Sequence, residues 1–250
     1  MGYWIAIAAI GAGIGYLGGL FGKGGAAIAT PLLAAVGVPP MLAVASPLPA
    51  TIPGTLVAYG RYRRGHYADP RVVRWSVAVG IPATILGAAA SYWVGGGALV
   101  LVTDLVVAAI GLRILLDRRD KGEGTGEVAE PDLTTVRLAG VALTVGFLAG
   151  LLANAGGFLL VPLYLAVLAL PIRRALACSL AVAAALAVPG TIVHAALGHI
   201  DWKVAVVFGI ASIPLSSLGA RTALAVAPAR LERIYGAGLF TLGTVLLLVH

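Results

Sequence analysis

Two short stretches hold the residue types from which an anion site inside a membrane is built. Leu20-Phe21-Gly22-Lys23-Gly24-Gly25 and Leu151-Leu152-Ala153-Asn154-Ala155-Gly156-Gly157 interrupt long apolar runs with glycine and a polar side chain. Non-helical backbone at membrane depth is tolerated only where it lines a cavity or is packed in protein. A helix that starts after such a break offers free N–H groups and the positive end of its dipole, and both favour anions. Lys23 adds a cation to the first break, and a lysine within hydrocarbon is a functional hypothesis by default. Asn154 would be a neutral donor in the second. The competing reading puts the break at the membrane surface, with Lys23 snorkelling to the headgroups. Other candidates are fewer. His194 sits in an apolar helix and is suited to carry a proton or to donate to a substrate. Asp104 is the acid lying well inside an apolar run. Ser46, Cys178 and Ser179 follow proline turns and are placed to face the site from the next helices. His194 and His199 are five residues apart, the wrong spacing for two ligands on one helix face, so no metal site and no cofactor are expected.

The elements that must position these residues follow from composition. The chain has 250 residues, 60% of them hydrophobic and 11% charged, against roughly 25% charged in a soluble domain. A soluble core of this size cannot absorb so much apolar surface, so the chain reads as an all-α, polytopic membrane protein. The uncharged runs are continuous rather than alternating, which excludes a β-barrel. Counting only Asp, Glu, Lys and Arg, they cover 1–22, 24–60, 75–103, 138–172, 175–200, 204–220 and 234–250. A spanning helix needs about 20 apolar residues. The 24–60 and 138–172 runs are too long for one span, so each must break or fold back. Helices are expected near 3–20, 26–37, 41–60, 72–93 and 98–116, then 135–152, 155–169, 172–197, 203–222 and 231–249. Residues 117–134 read as a polar linker.

The chain also repeats itself. Gly15-Tyr16-Leu17-Gly18-Gly19-Leu20 matches Gly146-Phe147-Leu148-Ala149-Gly150-Leu151 at an offset of 131 residues. Pro31-Leu32 matches Pro162-Leu163, and Ile81-Pro82 matches Ile213-Pro214 at 132. At 133, Ser46 falls on Ser179, Arg61 on His194 and Gly65-His66 on Gly198-His199. The expected units are therefore a first repeat over 1–116, a cytoplasmic linker over 117–134 and a second repeat over 135–250. Duplicated halves, each opening on a glycine-interrupted apolar segment, point to a secondary transporter.

Charge chooses between parallel and inverted halves. If each broken unit crosses once, the basic residues outside the first break split 11 against 5 between the two sides. If each unit enters and returns to one side, the split is 15 against 1, with Lys203 alone. The positive-inside bias favours the second arrangement, with inverted halves and the basic side in the cytoplasm. This orientation also accounts for the net charge of +7 without a nucleic-acid partner. Gly13-Ile14-Gly15-Tyr16-Leu17-Gly18 has no preceding strand and no acid downstream, so it is no dinucleotide fingerprint. Gly11, Gly15 and Gly19 read instead as small-residue helix packing.

These motifs resemble the sulfite exporter TauE/SafE family, also called the 4-toluene sulfonate uptake permeases. The resemblance rests on the doubled glycine-rich segment followed by proline, Gly15 to Pro31 and Gly146 to Pro162. It rests also on Gly198-His199-Ile200-Asp201-Trp202, with Gly65-His66-Tyr67-Ala68-Asp69 as a looser copy. Lys23 stands where the family pattern is apolar, and Ala153-Asn154-Ala155 stands where Gly-Ile-Gly is usual. The resemblance implies a multi-pass transporter of the cell inner membrane for a small sulfur-containing anion of the sulfite, sulfonate, sulfoacetate or thiosulfate type. Gly22, Lys23, Gly24, Gly25, Asn154, Gly156, Gly157, Ser46 and Ser179 are the expected substrate-binding residues, with His194 and Asp104 for proton coupling. An anion-selective channel built on the same breaks is the alternative. An intramembrane enzyme is the remote one, since no Gly-x-Ser-x-Gly, paired intramembrane acids or His-Glu-x-x-His occurs.

Overall fold

A computed structural model describes residues 2–22, 26–90, 133–151 and 157–249. They form helices α1 (Gly2–Leu20), α2 (Ala26–Ala35), α3 (Pro40–Ala45), α4 (Leu48–Arg64), α5 (Pro70–Ala90), α6 (Thr135–Leu151), α7 (Gly157–Ala166), α8 (Ile172–Ala196), α9 (Trp202–Ala225) and α10 (Pro228–Val249). No strand occurs among the described residues. Five segments are long and apolar enough to cross a membrane: 2–20, 41–64, 70–90, 172–196 and 202–225. The helix expected at 98–116 and the linker up to residue 132 lie outside the described residues. The arginines at 61, 63 and 64, expected in a loop, are the last turn of α4.

Glycine explains how the helices meet. The heaviest packing joins α1 to α9 and α5 to α6. On α1, a Cβ at Gly11 would lie 2.7 Å from the Phe208 carbonyl oxygen, and Cβ atoms at Gly15 and Gly19 would fall on the backbones of Ser212 and Ser216. On α6, a Cβ at Gly146 would lie 2.5 Å from the Gly80 oxygen, and one at Gly150 would fall on that of Thr84. Backbone therefore rests on backbone, and only hydrogen at Cα permits it. The Ser216 and Thr84 hydroxyls turn back onto the carbonyls of Ser212 (2.9 Å) and Gly80 (2.8 Å), which satisfies them without a partner across the interface.

The order of these contacts gives direction. Along both pairs the residue numbers rise together, so α1 runs parallel to α9 and α5 parallel to α6. α4 also runs parallel to α9, with Ala50 against Gly209 near one end and Arg61 Nε donating to Ser217 Oγ (2.9 Å) near the other. α5 reverses α4 through residues 65–69. Hence α6 runs opposite to α1, although the two carry the same glycine motif.

The short arms turn back rather than cross. α7 has 10 residues, about 15 Å at 1.5 Å per residue. Its end returns to the start of α6, where Arg137 donates to the Val167 carbonyl (3.4 Å). α2 likewise returns to the beginning of α1, since Val38 joins Ile7, Val204 and Phe208 in one apolar cluster. The long–short hairpin expected from charge is what forms.

Charge then separates by end. Arg173 ties the start of α8 to the α4–α5 loop through the Tyr67 hydroxyl (3.2 Å) and to the end of α9 through the carbonyls of Leu224 (3.0 Å) and Val226 (2.9 Å). Arg61, Arg63, Arg64, Arg71, Arg74, Arg137, Arg174, Arg221, Arg230 and Arg233 share that end with Arg173, while Lys203 lies at the other. The split that put the arginines from 173 onward opposite Arg61 is therefore not the one that forms. Aromatic side chains flank both ends, exposed Trp75 at the basic end and exposed Tyr3, Trp4 and Trp202 at the other, as interfacial anchors do.

Turn geometry corrects the register between the halves. His66 and Gly198 (φ 56° and 72°) close equivalent helix ends. Tyr67 N–H bonds the Tyr62 carbonyl and His66 N–H that of Arg63. In the second half, His199 N–H bonds that of His194 and Gly198 N–H that of Ala195. The offset here is 132, not the 133 suggested by the shared Gly-His letters, so His66 corresponds to Gly198 and Tyr62, not Arg61, to His194. Asp69 and Asp201 agree: each caps its helix through Oδ1, accepting at 2.9 Å from Arg71 N–H and at 2.8 Å from Lys203 N–H. Ala169 (φ 51°) and Gly37 (φ 96°) form a second such pair. Alanine in a left-handed turn is strained, so Ala169→Gly should stabilise the protein by up to about 1 kcal/mol. An unchanged or lowered melting temperature would show that the turn is not strained.

Candidate functional site

The first break lies against the opposite half. Gly22 adopts φ 66°, and a Cβ there would meet Ser179 Oγ at 2.5 Å, Val161 at 2.8 Å and Leu176 at 3.0 Å. Glycine is required twice, by the backbone angle and by the space. Ser179, fully buried, donates to the Leu176 carbonyl (2.9 Å) and lies 3.3 Å from the Gly22 carbonyl. It thus holds the edge of the break in place and keeps its lone pairs. The arms that follow the breaks, α2 and α7, touch each other, so the two units meet inside the protein. Gly157 is the first residue of α7. Lys23, Gly24, Gly25, Asn154, Gly156 and Asp104 lie outside the described residues.

Ser46 is elsewhere. It is buried at the α3–α4 turn, and its Oγ accepts from Asp201 N–H (2.9 Å) at the end opposite the arginines. Its structural counterpart is Cys178, whose Sγ accepts from Asp69 N–H (3.3 Å), and not Ser179. Ser46 and Cys178 each pin the loop that starts a spanning helix, and neither shares a site with Ser179.

His194 is buried near the end of α8. Its Nδ1 lies 3.2 Å from Nδ1 of His199, so one ring must carry the hydrogen between them. Among the described residues its Nε2 makes no hydrogen bond of good geometry, and the buried Thr191 Oγ1 three residues earlier on the same helix makes none. The Gly150 backbone, immediately before the second break, is in weak hydrogen-bond contact with the His194 ring. These two polar atoms, one of them beside the end of α6, are poorly satisfied among the described residues, and an uncompensated buried group costs about 1–3 kcal/mol. Thr191 was not singled out in the sequence; its spacing of three from His194 was the available signal. No group of three or more metal-ligating side chains occurs among the described residues.

Glycine-broken hairpins, meeting inside a bundle of spanning helices, define a multi-pass membrane protein of the transporter class. The profile of the sulfite exporter TauE/SafE family matches residues 7–246, and the chain belongs to that family. It is 30% identical over 243 residues to a "Probable membrane transporter protein" of Xylella fastidiosa strain 9a5c, covering 92% of this chain and 90% of the relative. It is 29% identical to a protein of the same description from strain Temecula1, with the same coverage. No solved structure matches the chain.

Proposed function

We propose that this protein is a secondary transporter of a small sulfur-containing anion in the cell inner membrane, working by alternating access between inverted halves. The observation that carries this reading is the pair of glycine breaks, each on a long–short hairpin, whose short arms meet inside the protein. The opposite directions of α1 and α6, and the paired turns at His66 and Gly198, support an inverted repeat. The gathering of arginines at one end supports a cytoplasmic placement of that end. Family membership supports the sulfur oxyanion as cargo and transport rather than catalysis as the activity.

In this reading Gly22, Lys23, Gly24 and Gly25 supply backbone N–H groups and one positive charge. Asn154, Gly156 and Gly157 supply neutral donors from the other side. Thr191 and His194 complete the second break. When His199 Nδ1 carries the shared hydrogen, His194 Nε2–H is a donor; when His194 Nδ1 carries it, Nε2 is an acceptor that repels an anion. Proton entry through His199, from the end opposite the arginines, would therefore select the anion-binding state. Asp104 is the second candidate for coupling.

The test is thermal stabilisation of the purified chain by sulfite, sulfate, thiosulfate, sulfoacetate, taurine, an aromatic sulfonate, chloride and a carboxylate. A ligand at 100 times its Kd adds about 2.7 kcal/mol. We expect one sulfur oxyanion to give that shift and Lys23→Met to remove it. A shift produced only by the carboxylate or chloride would overturn the cargo. An undiminished sulfite shift in the variant would take Lys23 out of the site.

A further inference from the structure

At the basic end, α4 and α5 diverge from the loop that joins them and pack on α8 and other neighbours rather than chiefly on each other. Between their ends is a pocket of about 330 Å³ lined by Tyr59, Arg63, His66, Ala68, Pro70, Val73 and Arg74. No acid lines it. Asp69, the acid of the adjoining loop, uses Oδ1 to cap α5. Arg74 Nε donates to the Pro70 carbonyl (3.3 Å), which leaves its terminal amines unpartnered among the described residues, like the guanidinium of Arg63. Trp75 and Val57, exposed on the same two helices, lie within two residues of the lining residues Arg74 and Tyr59. The pocket therefore opens where hydrocarbon gives way to headgroups.

Two comparisons within the molecule show that the fold does not demand these side chains. At the matching end of the second half, Tyr59, Arg63, His66 and Arg74 correspond to Thr191, Ala195, Gly198 and Val206. That end makes the same turn with none of these four side chains; its cation, Lys203, stands at the position of Arg71. His66 moreover holds φ 56° where its counterpart is glycine. A non-glycine residue in this conformation costs about 1 kcal/mol or more and persists where something else requires it. The Tyr67 ring, packed against Gly65 and lying under Arg173 at 5.6 Å, fixes the turn and leaves the imidazole at the pocket.

We propose that the pocket between the ends of α4 and α5, through Arg63, His66, Arg74 and Tyr59, binds the phosphate of an anionic phospholipid headgroup in the leaflet at the arginine-rich end. Two guanidinium forks and an imidazole match phosphate oxygens, and basic pockets between spanning helices on the cytoplasmic side take such headgroups. The site is separate from the glycine breaks, so it stands or falls independently of the cargo.

Native mass spectrometry of the delipidated full chain tests it, with phosphatidylglycerol, phosphatidylcholine and inorganic phosphate titrated separately. We expect phosphatidylglycerol to bind at least about tenfold more tightly than phosphatidylcholine, and Arg63→Ala/Arg74→Ala to remove that preference. His66→Gly should weaken binding while leaving the melting temperature unchanged or higher, because glycine suits the turn. That opposition separates a lost ligand contact from a damaged fold. Equal binding of the two lipids by the wild type, or an undiminished preference in the folded double variant, would overturn the proposal. Binding of inorganic phosphate as tight as that of phosphatidylglycerol would assign the pocket to a soluble phosphate and overturn the lipid source.

Discussion

Gly150→Val and Gly19→Val should each abolish the folded, monodisperse protein, while Gly13→Ala leaves it intact. A Cβ at Gly150 would fall on the Thr84 carbonyl oxygen and 2.7 Å from the Ala88 nitrogen. One at Gly19 would fall on the Ser216 oxygen and 2.9 Å from the Ala220 nitrogen. These neighbours are backbone, so no rotamer change can make room. The helices must separate, and with them every contact along the seam. Overpacking in a core costs typically about 1–3 kcal/mol where side chains can adjust. Here the rigid neighbour pushes the loss beyond about 4 kcal/mol, a large share of the 5–15 kcal/mol that holds a protein folded. Gly13 lies on the open face of the same helix, with nothing within 4 Å of a Cβ, and alanine there should add up to about 1 kcal/mol of helix propensity. Size-exclusion profiles and melting temperatures read all three. A Gly150→Val protein that stays monodisperse, with wild-type melting, would show that α5 and α6 do not meet backbone to backbone.

Much of this architecture was legible because the bilayer restricts what a sequence can do. Uncharged runs marked the spans, since charge is costly at membrane depth. Runs too long for one span announced the hairpins, and the basic residues announced which end they share. The glycines of α1 at intervals of four announced the seam, though not that the seam belongs to α9. Partner choice depends on shape across the whole bundle, and one helix does not encode it.

The register failed for a specific reason. Gly65-His66 and Gly198-His199 share letters, but the turn requires a left-handed residue at the position held by His66 in one half and Gly198 in the other. Backbone conformation, not residue identity, fixes the correspondence. The same slip paired Ser46 with Ser179, when the equivalent of Ser46 is Cys178. Thiol and hydroxyl there do one job, accepting a backbone N–H at the start of the next span. Thr191 escaped notice because a threonine in an apolar helix ordinarily bonds its own backbone, as Thr51, Thr55 and Thr84 do. That its Oγ1 has no partner among the described residues becomes visible only once the neighbouring helices are in place.

His194→Leu should reduce anion transport by at least about tenfold with little loss of stability. Leucine fills nearly the same volume without the ring nitrogens. Among the described residues Nε2 makes no hydrogen bond of good geometry, so its removal costs at most the weak contact with the Gly150 backbone. Removing a buried, unsatisfied polar atom is near neutral or favourable for folding. His199 loses its Nδ1 neighbour (3.2 Å), but it sits in a half-exposed loop where water can replace it. A hydrogen bond to a charged ligand is worth about 1.5–3 kcal/mol, which corresponds to roughly ten- to 150-fold in binding. Thr191→Val removes the neighbouring hydroxyl at constant shape and should lower uptake several-fold. If the two groups hold one anion together, the double variant should lose less than the product of the single losses. His199→Gln keeps a polar partner beside His194 and should retain binding while changing the response of uptake to an imposed pH gradient. Uptake into proteoliposomes, with melting temperature as the control for folding, reads all four. Wild-type uptake by a stably folded His194→Leu protein would remove the second break from the transport path. A fall in uptake matched by a fall in melting temperature would make His194 a packing residue.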